Sequence, residues 1–173
     1  MKVLVPLFTA LIAAGSFIRI PLPPVPITLQ TLFLFIAALL LPARYSVYSV
    51  LLYLFIGIIG LPVFTTGGGL AAAIGPTGGY LWGMIPAVLA GSLIASQRNS
   101  AGWYVLSAVI ADIVLYIPGV LWLMYSTGIS MKAALIGGLL PFIPGDAVKI
   151  IIAAISAKAL KGQILPLLER REE

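Results

Sequence analysis

The chain has 173 residues, 61% of them apolar and 9% charged, with a net charge of +5 and a mean hydropathy of +1.16. A soluble domain typically carries about 25% charged residues, so this sequence cannot clothe a core of its size for water, and most of its perimeter must face lipid. The basic residues are scattered, which excludes a nucleic-acid footprint, and the absence of Cys and His removes disulfides, thiolate metal sites and the usual general base.

At about 20 residues per span, the chain holds about six transmembrane helices and no separate soluble domain. The expected fold is an all-α bundle of six transmembrane helices with elaborate outer loops, forming one domain over residues 1–173. The first apolar run, 3–18, ends at Arg19 and the proline cluster Pro21, Pro23, Pro24 and Pro26. Proline at this density cannot stay helical, so Ile20 to Pro26 reads as an extended connection. Phe17-Ile18-Arg19 does not resemble a small-residue cleavage site, so no targeting peptide is expected.

The second run, 27–42, is short, and Pro42-Ala43-Arg44 reads as a tight turn into the third, 45–61. A Gly-rich connection, Pro62 to Gly79, precedes the fourth run, 80–95. The fifth run covers 103–124. The stretch from Tyr125 to Pro144 is apolar enough to fold back as a short or re-entrant helix, and the sixth run is 145–160.

Lys/Arg placement sets the orientation. With a cytoplasmic N-terminus, the inner side holds Lys2, Arg44, Arg98, Lys158, Lys161, Arg170 and Arg171, and the outer side only Arg19 and Lys132. Both termini are therefore expected in the cytoplasm of a multi-pass plasma-membrane protein. All three elaborate connections then fall on the outer face, which is where a binding site is expected.

Asp112 and Asp146 are the acidic residues away from the C-terminal tail. An ionised group near mid-membrane costs about 2.5–3.5 kcal/mol on insertion scales, so it pairs, lines a wet cavity or serves a function. Asp146 opens the sixth run and Lys149 follows at i+3, on the same helix face. Two readings stand: a helix cap neutralised by the lysine, or a charged pair facing a ligand. The second leads, because a cap does not need a lysine one turn into the membrane. Asp112 is roughly central in the fifth run, where a buried hydrogen bond and ligand contact are equally open.

The turn Gly75-Pro76-Thr77-Gly78-Gly79-Tyr80 is a second candidate. Its glycines permit close backbone approach or positive φ, while Tyr80 and Trp82 offer stacking surfaces with polar tips. No lysine follows the glycines, so it is not a Walker A loop. Gln30 and Thr31, one turn into the second run, are polar and on the outer side. Gly79, Gly83, Ala87, Gly91 and Ala95 form an i+4 stripe that lets another helix of the chain approach closely. Ala10 and Ala14 make a shorter stripe of the same kind on the first run, suited equally to another protein.

Three segments then carry a resemblance that covers essentially the whole chain. They are Ile20-Pro21-Leu22-Pro23-Pro24-Val25-Pro26-Ile27-Thr28-Leu29-Gln30-Thr31, the 75–80 turn, and Pro141-Phe142-Ile143-Pro144-Gly145-Asp146-Ala147-Val148-Lys149. Together and in this order they resemble the BioY family, the biotin-specific S components of energy-coupling-factor (ECF) transporters. The resemblance implies a six-helix bundle that binds biotin from outside, without a catalytic role or a cofactor. It also implies partnership with a transmembrane coupling protein and two cytosolic ATPase subunits, with Ala10 and Ala14 docking the coupling protein. Asp146 and Lys149 would be the polar contacts to biotin and the 75–80 turn would line the pocket. Rival readings are a self-sufficient transporter or facilitator for another vitamin, and an assembly subunit without ligand. An enzyme is disfavoured, because Asp146 and Lys149 lack an arranged nucleophile and base.

Overall fold

A computed structural model describes residues 3–169 and the side chains of residues 3–161. Helix α1 (Leu4–Phe17) leads into a two-stranded antiparallel hairpin, β1 (Arg19–Ile20) and β2 (Ile27–Thr28), with Arg19 opposite Thr28 and Ile20 opposite Ile27. The prolines between them give the extended connection expected of them, closed here by strand pairing. That pairing claims Ile27 and Thr28, so α2 (Gln30–Leu40) starts later than the apolar run does. Gln30 and Thr31 are therefore its first two residues and not one turn inside it.

Helix α3 (Ala43–Ile58) follows at once. Ala43 and Arg44 belong to its first turn, and the expected tight turn shrinks to Leu41 and Pro42. Proline's fixed φ prepares a helix start, and the Pro42 carbonyl accepts from the amides of Tyr45 at 2.9 Å and Ser46 at 3.1 Å. The Gly-rich connection contains a short helix, α4 (Leu70–Ile74), and Phe64 from this connection is buried against α3. Its ring lies edge-on to Tyr53 at 5.4 Å, and Gly57 gives it room.

Helix α5 (Gly78–Ala95) and α6 (Ala101–Thr127) form the most extensive helix pair. The i+4 stripe explains it, since Gly79, Gly83, Ala87, Gly91 and Ala95 are all buried. A Cβ at Gly83 would come within 2.8 Å of Pro118 Cγ and 2.9 Å of the Leu115 carbonyl, both on α6. Gly128, at φ 70°, ends α6 in the left-handed conformation. Helix α7 (Met131–Gly138) is the fold-back segment expected between the fifth and sixth runs, and α8 (Ile143–Glu169) leaves it at a bend of 49°.

Among the described residues two helices, α5 and α6, are long and apolar enough to cross a membrane, and α7 with α8 passes as a bent third. Helices α1, α2 and α3 are apolar but shorter. Helix α2 sits centrally, packed against α1, α5 and α8, and most of its length is buried. Ala153 and Ala157 of α8 are fully buried, which lets α8 close on the bundle below Lys149. Ile113, Ile117 and Leu121 on α6, with Val148, Ile151 and Ile155 on α8, are exposed. An apolar perimeter of this kind suits a bilayer and not water.

Candidate binding site

One end of the bundle closes around a small cavity, about 60 Å³ in volume. Its walls come from every part of that end: Val25, Pro26 and Thr28 of the hairpin, Thr65 of the Gly-rich connection, Gln30 and Thr31 of α2, Thr77 and Tyr80 of the 75–80 turn, Leu115 and Tyr116 of α6, Phe142, and Asp146 and Lys149 of α8. The three elaborate connections do converge on one face.

The polar heart of this cavity is a connected network. Lys149 Nζ lies 2.8 Å from Asp146 Oδ1 and donates to Thr31 Oγ1 at 3.0 Å. Thr31 Oγ1 in turn donates to Asp146 Oδ1 at 3.3 Å, and the Tyr116 hydroxyl donates to Asp146 Oδ2 at 2.5 Å. Asp146 is 1% exposed and Lys149 6%. Asp146 is therefore no helix cap: its side chain faces inward, and its own amide donates to the Phe142 carbonyl at 2.8 Å within the first turn of α8. An ammonium has three N–H groups, and two of Lys149's are engaged here, leaving one for a partner in the cavity.

Gln30 is buried on the α2 wall by a separate chain of bonds. Its Nε2 donates to the Tyr53 hydroxyl at 2.5 Å, its Oε1 accepts from Thr28 Oγ1 at 3.3 Å, and Tyr53 donates onward to the Val63 carbonyl at 3.2 Å. The position of Gln30 depends on Gly15: a Cβ there would lie 2.9 Å from the Gln30 amide nitrogen. Arg19 reaches across the mouth to donate to the Thr65 carbonyl, which ties the hairpin to the Gly-rich connection.

Aromatic rings form the remaining wall. Tyr80 and Tyr116 meet edge to face at 5.9 Å, and Tyr116 and Phe142 lie 6.1 Å apart. The Tyr80 hydroxyl donates to the Gly138 carbonyl at 2.8 Å, joining α5 to α7. Such rings pair a flat apolar surface with a polar tip.

The sequence candidates separate under this geometry. Gln30, Thr77, Tyr80, Asp146 and Lys149 are brought together around the cavity, with Thr31. Gly78 and Gly79 lie outside its lining, in the first turn of α5 and not in a loop. Neither has positive φ, which occurs at Gly60, Gly67, Gly69 and Gly128. Their role is close approach: a Cβ on Gly78 would strike the Ala73 carbonyl, and one on Gly79 would strike Trp122 and the Pro118 carbonyl. Trp82 also lies outside the lining, 41% exposed, with its indole N–H on the Ala73 carbonyl at 3.1 Å.

Asp112 borders a different groove, on the outer surface of α6 with Ile113, Ile117, Leu135 and Ile143. Its Oδ1 is buried without a hydrogen-bond partner among the described residues. Ala10 and Ala14 are exposed on α1. Tyr116, Thr28, Thr65 and Phe142 were not singled out by the sequence. For Tyr116 a signal existed, because a tyrosine in the middle of a membrane run carries a hydroxyl that needs a partner.

Fold and site together describe a helical membrane protein with a small, mostly apolar cavity around one buried ion pair. Residues 1–165 match the BioY family, and the chain belongs to that family. It is 40% identical over 156 residues to the biotin transporter BioY of Thermotoga maritima, covering 90% of this chain and 92% of that protein. It is 39% identical over 160 residues to a probable biotin transporter BioY of Pyrococcus horikoshii, covering 92% and 94%. The crystal structure of the S component for biotin from an ECF-type ABC transporter superposes with a TM-score of 0.84 at 30% identity, covering 93% of this chain and 90% of that one.

Proposed function

We propose that this chain is the biotin-capturing S component of an ECF-type importer, with the cavity around Asp146 and Lys149 as its vitamin site. The observation that carries the reading is the buried network of Lys149, Asp146, Thr31 and Tyr116 inside a ring of aromatic and aliphatic side chains. Biotin has a valerate carboxylate, a neutral ureido head and an apolar bicycle. The uncommitted N–H of Lys149 suits the carboxylate, the side chains of Asp146 and Gln30 suit ureido groups, and Tyr80, Tyr116 and Phe142 cover the ring. Few, well-placed polar groups in an apolar pocket are what small-molecule sites use. Such sites typically measure about 300–1,000 Å³, so admitting a bicycle requires the cavity walls to part.

The reading extends to topology and partners. Helices α1, α2, α3, α5, α6 and the α7–α8 pair serve as six spans of one transmembrane domain. Both termini lie in the cytoplasm, in keeping with the Lys/Arg bias, and the cavity faces outward. Ala10 and Ala14 are open for docking a transmembrane coupling protein, which two cytosolic ATPases would drive. The relatives are transporters and not enzymes.

Calorimetric titration of the detergent-purified protein with biotin tests the site. One-to-one binding is expected, weakened at least about tenfold, or 1.4 kcal/mol, in Lys149→Ala and in Asp146→Asn. Unchanged binding in both variants would move the pocket, and no binding by well-folded wild type would discard biotin. In vesicles, the chain alone should bind without accumulating the vitamin. Accumulation without ATP or partners would instead favour a self-sufficient transporter.

A further inference from the structure

The opposite end of the bundle holds a second, larger cavity of about 350 Å³. It opens where the α2–α3 turn, the α5–α6 turn and α8 meet. Its interior is mostly apolar, with Leu40, Leu41 and Ala95 beside the buried Ser92, and its rim carries Ser96, Gln97, Arg98, Asn99 and Lys161. The two acidic side chains among the described residues, Asp112 and Asp146, both lie outside this cavity's lining. The rim cations are held by other means. Arg98 lies over the Trp103 ring at 5.0 Å. Lys161 lies over the Tyr104 ring at 4.8 Å and donates to the Ala95 carbonyl at 3.1 Å. Asn99 Oδ1 accepts from the Tyr104 hydroxyl at 2.7 Å, which leaves its amide N–H groups as donors.

The backbone does not supply the missing negative charge. The carbonyl ends of α2 and α5 reach the cavity, but the amide ends of α3 and α6 start beside them, so the helix dipoles oppose one another. Among the described residues, Arg98 and Lys161 are the charged side chains of the lining. Paired aromatic and basic side chains at one level are the composition of a membrane–water interface, and basic pockets between transmembrane helices take anionic lipid head groups.

We propose that this cavity seats one anionic phospholipid, its phosphate between Arg98 and Lys161 and its first acyl carbons against Leu40, Leu41 and Ala95. The occupant is a lipid and not a free anion because the cavity pairs its cationic rim with a mostly apolar interior that inorganic phosphate cannot use.

Native mass spectrometry of the delipidated full chain, titrated with short-chain phosphatidylglycerol or phosphatidylcholine, tests the assignment. One phosphatidylglycerol should be retained, at least about tenfold in preference to phosphatidylcholine, at about fivefold per basic side chain near an anionic surface. Arg98→Gln and Lys161→Gln should each remove about fivefold of that preference, while Arg44→Gln, at the same end but outside the cavity lining, leaves it intact. Arg98 is exposed, so its variant keeps the wild-type melting midpoint and separates lost binding from lost folding. Equal retention of both lipids, or preference unchanged in both variants, overturns the proposal. Displacement of the lipid by inorganic phosphate or by a triglutamate peptide also overturns it, reassigning the cavity to a free anion or to an acidic protein segment.

Discussion

The two ends of the bundle manage charge in opposite ways. At the cavity end, Asp146 and Lys149 are buried and neutralise each other through a 2.8 Å contact that Thr31 and Tyr116 complete. At the basic end, Arg98 and Lys161 rest on aromatic faces at the rim of an open cavity. The difference is one of solvent. Inside the bundle a charge without its partner is costly, so the partner is built into the fold. At an open rim, the surroundings can provide it. A network that satisfies itself also fixes the shape of a pocket, whereas an open rim leaves its counter-charge to the surroundings.

Substitutions that break the buried pair should show the largest effects. Asp146→Asn leaves Lys149 charged and buried without its carboxylate, which costs about 3–5 kcal/mol of stability, read as a lower melting midpoint in detergent. The double variant Asp146→Leu, Lys149→Met should recover most of that loss, because a well-packed apolar pair often matches a buried ion pair. Biotin binding should not recover with it. A double variant that still binds the vitamin would separate the pair from the site.

Tyr116→Phe sharpens the comparison with a smaller change. It removes one donor from a buried carboxylate and should cost about 1–3 kcal/mol in the same melt, with weaker vitamin binding. The corresponding ring at the basic end, Trp103, holds its cation without a charged hydrogen bond, and Arg98→Gln should stay within about 0.5 kcal/mol of wild type.

Glycine substitutions differ in sign between the ends. Gly83→Ala places a methyl group against Pro118 and the Leu115 carbonyl near the cavity; overpacking of this kind costs about 1–3 kcal/mol. Gly102→Ala, in the first turn of α6 at the basic end, meets nothing within 4 Å. It should stabilise by up to about 1 kcal/mol through helix propensity.

What the sequence disclosed follows the same division. Helical runs, the small-residue stripe and the Asp146–Lys149 pair were legible because each is a pattern within one helix. The stripe from Gly79 to Ala95 announces a close neighbour in its spacing alone, and the structure places α6 there. Contacts between distant segments were not legible. Nothing near Ile27 and Thr28 says that they pair with Ile20 and Arg19, so the start of α2 was set too early. For Gly78 and Gly79 the sequence leaves close approach and positive φ both open, because the Ala73 carbonyl and Trp122, which demand a missing Cβ, come from outside the turn. Tyr116 joins Asp146 from 30 positions away, a distance at which local periodicity carries no information.

Gly119 has a consequence for selectivity. It lies on α6 behind the Tyr80 ring, where an added Cβ would collide with the ring carbons. The same tyrosine forms part of the cavity wall, and its hydroxyl is anchored to the Gly138 carbonyl. A ring held at its tip and backed by a glycine must shift when that glycine gains a side chain. The shape of the chamber thus depends on a residue outside its lining, and a substitution at Gly119 should alter binding while every contacting side chain stays the same.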